Sequence, residues 1–539
     1  MEIERVERVD HHGIVAGVIK DLGLIERIDF LLGRHPDEKI TTGEAVAGMI
    51  INGLGFTDRP MTLTPQFFEN CPLNLLFREG IEANDFNRFK LGRSLDEIYE
   101  FGCSTLFADL ANKSCEKEGI DRRFGHLDST TFSLTGQYFE DSDENAIKIT
   151  HGYSKDHRPD LKQVVLELLV SQEGGVPLIA KAWDGNTSDN EIFNSRSKAL
   201  VEALKNSEDP VYLIADSKLY SANNAESLKK LPFITRIPET ISSVSEKIKE
   251  SWKNTTEWLG HKGEKKYQEF TLDHYNISQR WIVVYSEAAR NRIQITIAKK
   301  VEKEKEKIQK ELFHLRAERF ECLEDAKREL SKKSKKWEYH ELDQLNIEEI
   351  KKYIGKGRPK VGVSADKVVY QVNAGFRKKE EAINNFIEEG SCYVLGTNIG
   401  KNNLSAKEII DHYSEQQVVE RGFRFLKDPL FFTSSLFIKK QSRIEAMLMV
   451  MTLALLVYSI AERRLRHILK KNNATLPNQI NKQVQNPTLR WVFQLLDGVC
   501  RIKTSVNGVV SYIWTGLTEL RAKLLKLFGN SVKDIYQIS

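Results

Sequence analysis

A chain of 539 residues is too long for one ordinary core, and 40% hydrophobic with 29% charged residues describes a soluble globular protein of roughly two to four domains. Its 80 basic and 76 acidic residues leave a formal net charge of +4, so any nucleic-acid surface must come from local clustering. The six cysteines form no Cys-x-x-Cys pair and have no histidines at zinc-finger spacing, which reads as reduced structural thiols in a cytoplasmic protein.

The start, "MEIERVERVDHHG", is charged and has no signal-peptide core. From about 13 to 118 apolar residues recur at three- and four-residue spacing, which predicts a separate helical domain with Thr41 or Thr42 as an N-cap and 112–123 as its exit linker. Strand patterns then take over. "RFGHLDSTTFSL", "LKQVVLELLVSQ" and "VPLIAKAWDG" predict three strands with a tight turn at 173–175. A helix over about 188–206, the short buried strand "VYLIAD" (211–216) and a further helix around 221–231 follow.

Between about 236 and 390 the pattern is interrupted. "YQEFTL", "RWIVVYSE" and "KVVYQVN" read as strands, and 299–330 as one long helix whose Lys/Glu density is that of a solvated face or of a DNA-tracking surface. The strand "SCYVLGTNI" (391–399) resumes the interrupted pattern, and 405–427 reads as one long helix. The apolar run "AMLMVMTLALLVYSI" (446–460) is short for a bilayer span and suits a buried core helix. A polar linker and a helical C-terminal stretch complete the chain. The element order predicts an α/β fold: an RNase H-like core (121–235 and 391–435), an inserted strand and long-helix domain (236–390), and helical flanks at 1–120 and 436–539.

Three acids stand at notable positions: Asp128 mid-strand, Asp216 at the end of a buried strand, and Glu420 on the helix after the last core strand. Singly, Asp128 could cap a bend, Asp216 could N-cap the next helix, and Glu420 could be a solvated helix residue. Converged, they would hold one or two hard cations for in-line phosphoryl transfer. A buried acid mid-strand is tolerable when a metal compensates its charge. In the loop "GYSKDHRPDLKQ", Lys155, His157, Arg158 and Lys162 either meet a DNA backbone or pair with Asp156 and Asp160. His126 and His151 read as ordinary strand or loop histidines, and Asn186 and Asp189 in "GNTSDN" as turn residues that at most support the site.

These residues carry a family resemblance. "HLDSTTF", "LIADSKLYS" and "YSEQQVVERGFRFLK" resemble the bacterial insertion-sequence DDE transposases whose glutamate lies in a Tyr-x2-Arg-x3-Glu-x6-Lys signature, here Tyr413, Gln416, Glu420 and Lys427. The resemblance implies that Asp128, Asp216 and Glu420 are the catalytic metal ligands for Mg2+, with Mn2+ able to substitute. It implies a helical N-terminal domain that helps grip the transposon end, and phosphate contacts by Tyr413 and Lys427. Gln416 departs from the signature arginine and lacks its charge and fork, a role Arg421 or Arg424 could fill.

The implied partners are transposon-end and target DNA, with a homodimer forming on DNA and no membrane. The implied location is the bacterial cytoplasm, at the nucleoid when the protein acts. Two other readings stay open: a catalytically silent transposase-derived DNA-binding protein, favoured only by Gln416, and an RNase H-like nuclease without strand transfer.

Overall fold

The computed structural model describes residues 2–57, 60–136, 138, 143–204, 211–354, 364–431, 438–506 and 509–538. The chain forms two compact units, Met1–Thr235 with Glu408–Ser539, and Arg236–Lys407. Both mix helices with strands.

The first unit is built on a twisted sheet in the order Pro177–Trp183, Lys162–Ser171, Phe124–Leu134, Tyr212–Ala215, Phe233–Arg236. The first three strands form antiparallel pairs, joined where the sequence predicts a turn, with Gly174 and Gly175 at φ +79° and +64°. Tyr212–Ala215 joins the other edge of Phe124–Leu134 in parallel, which requires a crossover; helix Asp189–Leu204 supplies it. The expected extension of that helix to 206 lies outside the described residues. The helix expected around 221–231 is only a 3-10 turn, Ala222–Asn224, and a single turn, Ala225–Leu228.

Residues 1–120 are largely helical but do not make a separate body. Helices His12–Leu22, Thr42–Leu54, Arg88–Phe101 and Cys103–Glu118 pack against helix Gln441–Lys471, and one hydrophobic core runs from Val9 through the sheet to Tyr536. The reason lies in Gln441–Lys471: Met447, Leu448, Val450, Leu453, Leu456 and Val457 point in several directions around it and are all buried, so it needs partners on every side. That helix is long and apolar enough to cross a bilayer, yet 89% of its apolar window is buried inside the protein. Thr41, not Thr42, caps Thr42–Leu54, in a capping box in which Glu44 Oε2 accepts the Thr41 N–H at 2.8 Å.

The C-terminal flank is not wholly helical. Cys500–Val506 and Val509–Thr515 form a hairpin, and Cys500–Val506 also pairs with Glu2–Arg8 at the other end of the chain. Buried Arg501 fixes that pairing through its Nε to Glu7 at 2.7 Å. The expected domain boundary at 435/436 lies outside the described residues.

Glu445 on Gln441–Lys471 gives a pH-dependent test of this core. Burial, with the charges of Asp184 and Asp143 adding and Lys181 opposing, pushes its carboxyl up to about 7. A folded-state value above the unfolded one means that stability is lost as pH rises between those two values. Glu445→Gln should therefore be neutral near pH 4 and stabilise the protein by about 3 kcal/mol at pH 8. Thermal melts at the two pH values check this.

The second unit contains Leu259–His261, Lys265–His274, Ile277–Ser286 and Cys392–Thr397 as an antiparallel set. Cys392–Thr397 pairs with Ile277–Ser286, and this compact unit extends to Lys407. The helix expected over 299–330 is two: Glu287–Ala317 and Leu323–Ser334. It breaks because Glu318 turns extended, Phe320 bridges to Tyr370, and Cys322 caps the next helix. Lys367–Lys378 pairs with His340–Lys352, a strand whose charged sequence hides it.

Candidate active site

Asp128 and Asp216 are brought together by sheet register. The last parallel pairs between their strands are His126 with Ile214 and Leu127 with Ala215, so the two aspartates stand side by side one step further on. Asp216 Oδ1 accepts the Lys218 N–H at 2.9 Å and caps the turn Ser217–Leu219, while its carbonyl accepts the Thr235 hydroxyl at 2.7 Å. The capping role foreseen for Asp216 is thus present and occupies only one carboxylate oxygen.

Burial pushes Asp128 up to about 6, opposed by Lys155 and the Ser129 N–H, with Asp216 and Asp189 adding to the rise. Asp216 is also raised, first by burial and then by Asp189, against Lys218 and Lys155. These two oxygen donors share a partly buried field that favours a cation, which is the chemistry of a hard divalent metal. Among the described residues, no three His, Cys, Asp or Glu side chains stand together as a metal-holding group. Two adjacent carboxylates are the donor type that suits a hard cation, and Glu420 does not stand with them as a third member of such a group.

Asp189 lies at the centre of the polar network, beyond the supporting role its sequence suggests. It accepts from the Ser129 hydroxyl and from Lys218 Nζ, and its Oδ1 lies 3.1 Å from Lys155 Nζ. Burial would raise its carboxyl, but these hydrogen bonds and the Lys155 charge hold it below the usual range. Lys155 Nζ also donates to the Ser129 carbonyl at 2.6 Å. Asp189 is held in place by its helix: Arg196 donates to buried Glu167, which also accepts Trp183 Nε1 at 2.8 Å.

The loop bearing Lys155 is seated through two glycines. A Cβ on Gly185 would lie 2.0 Å from the Gln163 carbonyl oxygen, and one on Gly152 would lie 2.2 Å from the Gly185 carbonyl oxygen. Side chains are thus barred from this crossing. Of the other cations in that loop, Arg158 pairs on the surface with Asp160 at 2.7 Å, and Lys162 opens a core strand opposite Leu134.

The helix expected over 405–427 is broken into Ala406–Ser414 and Gln417–Leu426. The ladder tightens to i→i+3 bonds, Gln416 N–H to Tyr413 and Val418 N–H to Glu415, while the Ser414 hydroxyl bonds back to Ile410 at 2.7 Å. Tyr413 therefore lies before the break, Gln416 within it, and Glu420 and Lys427 beyond it. Gln416 is the N-cap residue of the second helix and makes no side-chain cap bond.

Helix Gln417–Leu426 packs on the Asp128 strand. Glu420 is exposed in its first turn and is not among the charges that most move Asp128 or Asp216. Arg424 is exposed one turn on, and Lys427 Nζ bonds Asp156 at 2.7 Å, 5.8 Å from the Phe132 ring centroid. Arg421 departs from this group: it lines a separate groove of about 180 Å³ with Gly174, Glu415, Tyr458, Glu462 and Arg466.

Residues 120–457 match the family model described as the transposase DDE domain. The chain belongs to the transposase DDE domain family. Residues 4–112 of this transposase match a domain of unknown function (DUF4277), so two family models meet near 120 although the fold packs both sides into one unit. No curated protein matches the chain. Among solved structures it is similar to a piggyBac transposase synaptic complex with hairpin DNA, at 10% identity over 90% of this chain and 77% of that one, with a TM-score of 0.35.

Proposed function

We propose that this transposase binds insertion-sequence ends and cuts and joins DNA strands by in-line phosphoryl transfer, on an RNase H-like core interrupted by the second unit. The observation that supports this most is the placement of Asp128 and Asp216 one step beyond the last registered pair of two adjacent parallel strands, Leu127 with Ala215. With Asp128 and Asp216 as two ligands and Glu420 drawn in as the third, a bound Mg2+ would supply a lowered pKa for the attacking hydroxyl and charge neutralisation at the leaving oxygen.

The chain's own residues do the rest. Asp189 holds Lys155 and Lys218 beside the acids, so that two ammonium groups flank the place where a scissile phosphate would sit. Lys427, Arg424 and Tyr413 are the proposed phosphate contacts, with Gln416 a neutral one; Arg421, Arg158 and Lys162 are weaker candidates given where they lie. Two active sites at fixed spacing are needed to join two ends to one target, which favours a homodimer assembled on DNA.

The test is incubation of the full chain with Mg2+, duplex carrying the ends of its own element, and a target plasmid. Joined end-to-target products support the proposal. Cleavage without joining would make the protein a nuclease, and binding without cleavage a silent DNA-binding derivative.

A further inference from the structure

The second unit carries a cationic surface remote in sequence from the acids. Lys300, Lys303, Lys307 and Lys310 recur at three- and four-residue spacing along helix Glu287–Ala317, so they form one stripe spanning about 15 Å. Lys336 joins them from after the next helix, and the five line an open groove of about 590 Å³ with Glu304, Glu306, Glu338 and Tyr339. The apolar face of the same helix, Ile297, Val301 and Ile308, is buried, so the stripe is turned away from its own core.

The sequence around the stripe is rich in glutamate, and a solvated face would pair its charges at i to i+4. The structure leaves several unpaired. Lys303, Lys310 and Lys336 make no ion pair among the described residues, while Lys307 reaches only Glu311 at 3.9 Å. Glu304, central to the groove, is occupied elsewhere: it accepts the Glu338 and Tyr339 N–H groups, each at 2.8 Å, and lies 2.9 Å from His340 Nδ1. Lys300 is held by its Nζ lying 4.5 Å from the Phe386 ring centroid. Among the described residues that line the groove, Glu338 is hydrogen-bonded to the Tyr339 side chain, which leaves Glu306 to oppose the five lysines.

We infer that this stripe binds the phosphate backbone of duplex DNA, giving the second unit its own hold on the substrate; the inference rests on the DNA-transposase reading above. Regularly spaced ammonium groups along one helix match a linear polyanion and carry no base readout, so the contact should be independent of sequence.

The test measures binding of the full chain to a random-sequence 40-base-pair duplex against salt. Replacing Lys303, Lys307, Lys310 and Lys336 by Gln should reduce the log-log salt slope by about three to four units and weaken binding on the order of a hundredfold at 0.1 M salt. A charge-matched control, Lys327, Lys332, Lys351 and Lys352 to Gln in the same unit, should change the slope by less than about one unit. Glu306→Gln should tighten binding a few-fold. Equal slopes for the stripe variant and wild type, or equal losses in stripe and control variants, would overturn the stripe while leaving the transposase reading intact. No duplex binding by the wild type at any salt would overturn both.

Discussion

Asp128→Asn is expected to lower strand cleavage on the order of a thousandfold or more while leaving the folded protein at least as stable as wild type at neutral pH. Asparagine keeps the shape but loses the ionised oxygen that an ion would need. The stability half follows from the sign of the shift. Burial holds the Asp128 carboxyl up to about 6, above its unfolded value, so ionising it costs stability as pH rises through that window and the cost is complete above about pH 6. Removing the charge should recover about 3 kcal/mol at pH 7.5 and nothing near pH 3. Cleavage and thermal melts on the same preparation separate loss of chemistry from loss of fold. Cleavage within tenfold of wild type would contradict the role.

Asp189→Asn should act in the opposite sense on stability, lowering it by about 2 to 3 kcal/mol. The Asp189 carboxylate, 11% exposed, is the common partner of Lys155 and Lys218, and the change strands two cations that the fold has already drawn in. Lys218 is 44% exposed, which keeps the effect toward the lower figure. Freed from Asp189, both lysines are expected to turn to Asp128 and Asp216, lowering their carboxyl values and competing with any cation. A denaturant midpoint unchanged from wild type would show that the network is ornamental.

The parts of this site that were legible in the sequence are those fixed by local pattern. An acid inside an apolar strand and an acid closing a short buried strand marked Asp128 and Asp216, because strand ends are where a sheet presents side chains. Asp189 was not legible as a centre: its weight comes from Lys155 and Lys218 reaching it across 34 and 29 residues of chain, and "GNTSDN" by itself is a turn. The break before Glu420 was hidden for a similar reason. "YSEQQVVE" has good helix formers throughout, and only the back-bond of Ser414 and the tightened bonds at Glu415 and Gln416 reveal it.

The fold divides in the same way. The three antiparallel strands and the crossover to Tyr212–Ala215 follow from period and turn residues. The hairpin Cys500–Val506 with Val509–Thr515 takes its third strand from Glu2–Arg8, nearly the whole chain away, and no local pattern announces such a partner. Residues 1–120 read as an independent helical domain because their amphipathic pattern does not say which helix covers it; Gln441–Lys471 does.

The central claim is that Asp128 and Asp216 hold a divalent cation for phosphoryl transfer. Its most direct test is cleavage of end-bearing duplex by Asp128→Cys, and in parallel Asp216→Cys, in Mg2+ and in Mn2+. A thiolate binds the hard Mg2+ poorly and accepts Mn2+ more readily. The account predicts loss of cleavage in Mg2+ and its partial return in Mn2+ for both variants. Full cleavage in Mg2+ by either variant would contradict it.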